Sequence, residues 1–160
     1  MNNTSLTLRR SADGDWLAVD DEARTIGRGA RSRRPGPAMF ISVDAWSTAA
    51  FDLLADAIVA ELPSPLHTLA DADDVELIDA WRRHGFTERR RSACYRIPFA
   101  PPPGTPPPGI RRLPGARIIL RGPDAPFVAL DVDTGAADLV AAVEALGGSV
   151  VETTVELVRP

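Results

Sequence analysis

The chain has 160 residues, 44% of them apolar and 25% charged, with a formal net charge of −4. That size suits one domain or two small ones, and the slight acidity gives no drive toward nucleic acid or an anionic membrane surface. All 18 basic residues are arginine, which excludes lysine Schiff-base chemistry, and the single cysteine, Cys94, excludes an internal disulfide.

Leu6 and Leu8 alternate with polar neighbours and predict a short first strand. No basic start or apolar run marks the amino terminus as a signal peptide, and no segment is apolar enough to cross a bilayer, so a cytoplasmic protein without membrane contact is expected. After the Asp13-Gly14 turn signal, Trp16–Val19 and Thr25–Gly27 flank a polar turn as a hairpin. Arg28 to Pro37 is basic and rich in Pro and Gly, and reads as a loop or a ragged strand end. Met39–Val43 is the expected central strand. Asp44 or Ser47 can cap the next helix, whose apolar residues Phe51, Leu54, Ala55, Ile58, Val59 and Leu62 recur at helical spacing until Pro63.

Leu66–Leu69 reads as a strand, and Asp73 or Asp74 caps a helix ending at Gly85, well placed just past its end. A long strand follows from Phe86 to Phe99. Beyond it, Arg117–Leu120 and Phe127–Val132 are expected strands, Asp133 or Thr134 caps a helix to Leu146, and Val150–Val158 is a last, β-branched strand. Leu66–Pro98 and Phe127–Pro160 thus share one pattern of strand, helix, glycine and strand, about thirty residues long, the size of a repeated supersecondary unit. The expected organisation is a first unit over 1–100, a Pro/Gly linker over 101–109, and an abbreviated second half over 110–160 packing on the first. The fold class is α/β, a mixed sheet with three helices.

The element order of the first hundred residues resembles that of the GCN5-related N-acetyltransferase (GNAT) fold. The stretch VELIDAWRRHGFTERRRSACYRIP is similar to that family's final helix and strand, with Trp81, Gly85 and Phe86 in the places of its Tyr-x-x-x-Gly-Phe signature. The hairpin WLAVDDEARTIGRGA is similar to its second and third strands. The second copy resembles the same segment, with Gly147 and Gly148 in the Gly-Phe place. The resemblance implies acetyl-CoA as acyl donor and a small-molecule amine as acceptor. It places the cofactor along Ile41, Ser42 and Val43, whose amides would stabilise a tetrahedral intermediate, and at Trp46, Ser47, Thr48 and Ala49, where a helix start would meet the diphosphate.

Three departures bear on that chemistry. The family cradles the diphosphate in an Arg/Gln-x-x-Gly-x-Gly/Ala loop, whereas VDAWSTAAFDLLADAI contains neither glycine nor arginine. The literal pattern occurs instead at Arg24-Thr-Ile-Gly27-Arg-Gly29-Ala30, after a hairpin turn and without a following helix. The tyrosine that serves many members as general acid is replaced by Trp81 in the first copy and Val143 in the second, neither of which holds a dissociable proton. No catalytic residue is therefore assigned. The expectation is weak or lost acyl transfer, with a non-catalytic scaffold or protein-interaction module as the alternative; a homodimer is the partner expected besides a small-molecule amine.

Other residues are read as structural. Cys94 and Tyr95, the only tyrosine, are expected as packed strand residues. His67 and His84 match no metal-ligand spacing, and His84 suits a helix C-terminus. Asp71, Asp73 and Asp74 lack the spacing of a calcium loop. The arginines at 82, 83 and 89–91 could meet phosphate but suit a solvated strand edge.

Overall fold

The computed structural model describes residues 5–33, 37–98, 117–120 and 127–160. The 101–109 linker and Arg34–Gly36 lie outside them. Nine strands and three helices occur among the described residues, in the order β1 (Thr7–Arg10), β2 (Trp16–Val19), β3 (Thr25–Arg33), β4 (Met39–Ala45), α1 (Thr48–Glu61), β5 (Leu66–Asp71), α2 (Val75–Arg83), β6 (Thr87–Pro98), β7 (Arg117–Leu120), β8 (Phe127–Asp133), α3 (Ala137–Ala145) and β9 (Ser149–Arg159). None of these helices is long and apolar enough to cross a membrane. Two compact units are distinguished. One holds the described residues up to Ala70, Asp74–Arg89 and Leu157–Pro160; the other holds Asp71–Asp73 and the described residues between Arg90 and Glu156.

In the first unit the strands run in the order β1-β2-β3-β4-β5. β1 to β4 are antiparallel neighbours, and β4 and β5 are parallel. Helix α1 packs on β2, β3 and β4, burying Ala50, Phe51, Leu54, Ala55 and Ile58 along one face. Each large apolar side chain there contributes roughly 1.5–3 kcal/mol by leaving water. The helix lies close because β3 presents Gly27 and Gly29, two residues apart and so on one face of the strand. A Cβ at Gly27 would stand 2.9 Å from Leu54 Cδ1, and one at Gly29 would stand 2.7 Å from Ile58 Cδ1. The helix side chains fill the volume that strand side chains would otherwise occupy.

β3 extends to Arg33, further than expected from its Pro- and Gly-rich continuation. Arg31, Ser32 and Arg33 pair in register with Ile41, Phe40 and Met39 of the apolar strand β4, and this partner overrides the local loop composition. The far end of α1 is tied down by Glu61. Its carboxylate accepts the indole N–H of the buried Trp16 at 2.9 Å and pairs with Arg10, whose guanidinium lies 3.9 Å from the Trp16 ring centre.

In the second unit the order is β9-β6-β8-β7. Ala93, Tyr95 and Ile97 alternate along β6 and meet Leu130 and Val132 of β8 and Leu139 and Val143 of α3 in one apolar cluster. Helix α3 starts later than expected, at Ala137, and its N-cap Ala136 has no side-chain bond. The two expected caps are used in the preceding turn. Asp133 Oδ1 accepts the Gly135 N–H at 2.8 Å, and Thr134 donates its hydroxyl to the Arg91 carbonyl at 3.0 Å.

Two predictions follow from the first unit. Gly29→Ala should destabilise by about 1 kcal/mol through overpacking, and the cost should largely vanish in an Ile58→Val background, where the clashing methyl is gone. Equal costs in both backgrounds, measured by urea unfolding, would show that the contact does not limit the packing. Asp20 offers a pH test. The Arg24 backbone N–H holds its carboxyl below the ordinary 3.8, burial opposes this, and the Arg24 guanidinium lowers it further. A carboxylate so depressed supports the fold above its unfolded value and loses that support as the pH falls through the folded one. The stability gap between wild type and Asp20→Asn should be flat from about pH 7 to about 5 and narrow below about pH 4.

Candidate functional site

The parallel ladder between β4 and β5 comprises two residue pairs, Met39 with Leu66 and Phe40 with His67. From Ile41 onward β4 keeps its pairing to β3 but has none to β5. The sheet is therefore split on that side, and the split leads toward the start of α1. There the Trp46 N–H donates to the Ile26 carbonyl at 3.0 Å, and Ser47, not Asp44, is the N-cap, accepting the Ala50 N–H at 3.2 Å.

A cavity of about 750 Å³ opens at this point, lined by β4, the start of α1 and helix α2. Of the seven expected cofactor residues, Val43, Trp46, Ser47 and Thr48 line it. Ile41, Ser42 and Ala49 do not, and Ile41 is buried. Helix α2 contributes Asp74, Glu76, Asp79 and Arg83 to the lining, and Phe51 of α1 is a lining residue too. Asp44 completes an acidic lining. The one signal for these residues in the sequence is the run of acids around Asp74, which suits helix capping. That role is also present: Asp74 is the N-cap of α2, accepting the Leu77 N–H at 3.0 Å.

The electrostatics are weighted toward negative. Four acidic residues and Arg83 are among the lining residues, and Arg83 also lies 3.6 Å from Asp52. The helix starts of α1 and α2 each supply about half a positive charge at most. With Arg83 and with Arg82, which pairs with Asp79 at 3.0 Å, they offset about three of the four negative charges. Of the four acidic lining residues, Asp44 and Glu76 have no side-chain bond among the described residues. Arg28 lies opposite Asp44 in the β3–β4 register but turns its guanidinium to Asp15, its Nε donating to Oδ2 at 2.8 Å.

Behind the cavity, aromatic packing fixes α2 against α1. The Phe51 and Trp81 rings meet edge to face with centroids 5.0 Å apart, and Trp81 meets Phe86 at 4.8 Å. Trp81, at the expected acid position, is 1% exposed. His84 clamps the same helices, its two ring nitrogens each 3.0 Å from carboxylate oxygens of Asp52 and Asp56. The Gly-Phe signature is a helix terminus. Gly85 adopts φ +85°, its N–H reaches the Arg82 carbonyl and the Phe86 N–H the Trp81 carbonyl, which is a Schellman cap with its apolar contact. Gly147 and Gly148 repeat that bonding to Glu144 and Val143 at the end of α3.

The remaining expected residues are structural. Gly27 and Gly29 of the phosphate-like pattern lie under α1, and Arg24 pairs with Asp20 and Glu22. Burial foremost, then Asp131 and Glu152, push the Cys94 thiol up, away from thiolate reactivity. Burial likewise raises the Tyr95 hydroxyl, which donates to Glu144 at 3.4 Å from inside the second unit's core. His67 is buried beside Phe40, with its Nδ1 3.5 Å from the Arg89 guanidinium. No three potential ligands converge on a metal position among the described residues.

Comparison with solved structures identifies the architecture. The chain is similar to a GCN5-related N-acetyltransferase from Sphaerobacter thermophilus, with a TM-score of 0.50 and 12% identity over 91% of this chain and 81% of that one. It is also similar to two crystal structures named as putative acetyltransferases. The Pyrococcus horikoshii protein has a TM-score of 0.53 and 11% identity, covering 91% of this chain and 73% of that one. The Thermoplasma acidophilum protein has a TM-score of 0.44 and 13% identity, with 57% of this chain spanning 39% of that one. The chain has the GNAT fold, which is what likeness at such identities shows. No protein-family model and no curated protein matches it.

The Schellman cap carries a prediction independent of any ligand. Gly85→Ala should lower stability by about 1 kcal/mol, the strain of a left-handed residue, and Gly85→Asn should recover part of that loss. An unchanged urea midpoint in Gly85→Ala would refute the role.

Proposed function

We propose that this GNAT-fold protein has lost, or keeps only weakly, acetyl-CoA-dependent acyl transfer, and that it works as a binding module. The observation that carries this reading is the acidic lining of the cavity at the start of α1. The resemblance puts the coenzyme's diphosphate on this helix start. A diphosphate needs close-approach amides and positive charge; this segment has no glycine, and its cavity has Asp44, Asp74, Glu76 and Asp79. Carboxylates at the seat repel a diphosphate, and water and salt weaken that repulsion where they are exposed. The residues present do not fit the cofactor's phosphates, and no reaction step is derived through it.

The split between β4 and β5 supports the second reading, a residual acyltransferase with a small-molecule amine as acceptor. The edge of β4 from Ile41 to Val43 is free of β5 and could receive an extended pantetheine arm and polarise a thioester carbonyl. Trp81 and the deeply packed Tyr95 leave that reading without a proton donor for the leaving thiolate.

Calorimetric titration with acetyl-CoA, paired with a thermal-shift measurement, separates the two. The proposal expects no saturable heat up to about 1 mM and no rise in Tm. Saturable binding in the micromolar range would overturn it.

A further inference from the structure

We propose that His84 is a proton-sensitive clamp between α1 and α2, closed while its ring carries two N–H groups and half released when the ring is neutral. His84 ends α2 as its C-cap, and its side chain is 10% exposed. Nδ1 lies 3.0 Å from Asp56 Oδ1, and Nε2 lies 3.0 Å from Asp52 Oδ1. An ionised carboxylate only accepts hydrogen bonds. A neutral imidazole has one N–H to give and one lone pair. In that form one ring nitrogen would set its lone pair against a carboxylate oxygen. The imidazolium donates one N–H to each. Two carboxylates one turn apart on α1 thus fit the charged ring at the end of α2.

The surrounding charges agree with this reading. Arg83 lies 3.6 Å from Asp52, so the carboxylates of Asp52 and Asp56 balance one guanidinium and one charged ring. Loss of the ring proton leaves one negative charge unopposed there. Arg82, the other cation at this end of α2, is turned to Asp79, and the Arg159 side chain of β9 lies against the neighbouring Gly85. The apolar neighbour is Phe51, whose ring centre is 5.9 Å from that of His84. The same two helices line the cavity, Thr48 and Phe51 from α1 and residues between Glu76 and Arg83 from α2. The Phe51–Trp81 contact carries no charge and is indifferent to pH. A rise in pH therefore leaves α2 resting on its rings while its carboxyl end slackens, which loosens one wall of the cavity. Histidine is the side chain that ordinarily changes charge between about pH 5 and 8, so the device works in the physiological range.

Urea unfolding of the full chain and of His84→Gln, each at about pH 5.5 and about pH 8, tests the clamp. The ratio of the folding constants, wild type over variant, should be about fivefold larger at the lower pH. The factor is modest because Asp56 is open to water. His67 is present in both chains, so its own titration cancels. Amide hydrogen exchange, corrected for the intrinsic pH dependence of the rate, locates the effect. Protection of Ile78–Arg83 should fall between the two pH values in the wild type and hold in His84→Gln. Asp52→Asn supplies a carboxamide N–H that can donate to the lone pair of a neutral ring, so the pH dependence should shrink in that variant. A folding ratio that is the same at both pH values, an equal fall of α2 protection in His84→Gln, or an undiminished dependence in Asp52→Asn would overturn the proposal. None of these results touches the loss of acyl transfer, which falls only if acetyl-CoA binds.

Discussion

The fit of α1 against the bare backbone of β3 at Gly27 and Gly29 is the contact on which the site depends. It sets how deep Leu54 and Ile58 sit over the sheet, and with them where the amino end of the helix lies relative to β4. A larger residue at either position would lift the helix, and with it the Ser47 cap, the exposed Trp46 and the mouth of the cavity. An Arg-x-x-Gly-x-Gly pattern that could be mistaken for a phosphate loop is thus a packing device. The same property, a missing Cβ, serves close approach in both cases; what approaches here is a helix side chain.

The second determinant is the docking of α2 on α1. Phe51, Trp81 and Phe86 form a continuous set of ring contacts, and His84 bridges two carboxylates one turn apart on α1. Trp81 is a packing residue at the centre of this contact. The same docking brings the acidic first turns of α2 to face the end of β4. The negative character of the cavity is a consequence of helix placement, because residues that cap or flank one helix become the wall opposite another. The sheet opens between β4 and β5, and acidic residues line the adjoining helix start.

Much of the architecture could be read from local signals with a direct physical cause. The apolar spacing of α1, the alternation in β6, the glycines that end α2 and α3, and the two strand–helix–strand segments each follow from a period or a backbone preference. The order of these elements was enough to suggest the GNAT fold. Local signals failed where a residue had two possible partners. Asp133 and Thr134 are good caps in isolation, but a turn beside Arg91 takes their hydrogen bonds. Arg28 to Arg33 have the composition of a loop, but an apolar neighbouring strand draws them into the sheet.

The candidate site divides along the same line. The lack of glycine and arginine around the start of α1, and a cap there at Asp44 or Ser47, can be read from the chain because these are properties of consecutive residues. The charge of the cavity is not such a property: Asp44 and Glu76 are thirty-two positions apart, and nothing in their own neighbourhoods brings them to one opening. Nor does a lone tryptophan among apolar residues announce whether it will be core or surface; Trp16, Trp46 and Trp81 look alike in one dimension and take opposite fates. Period and capping are settled within a few residues of chain, whereas exposure and electrostatic sign are sums over every element that packs nearby.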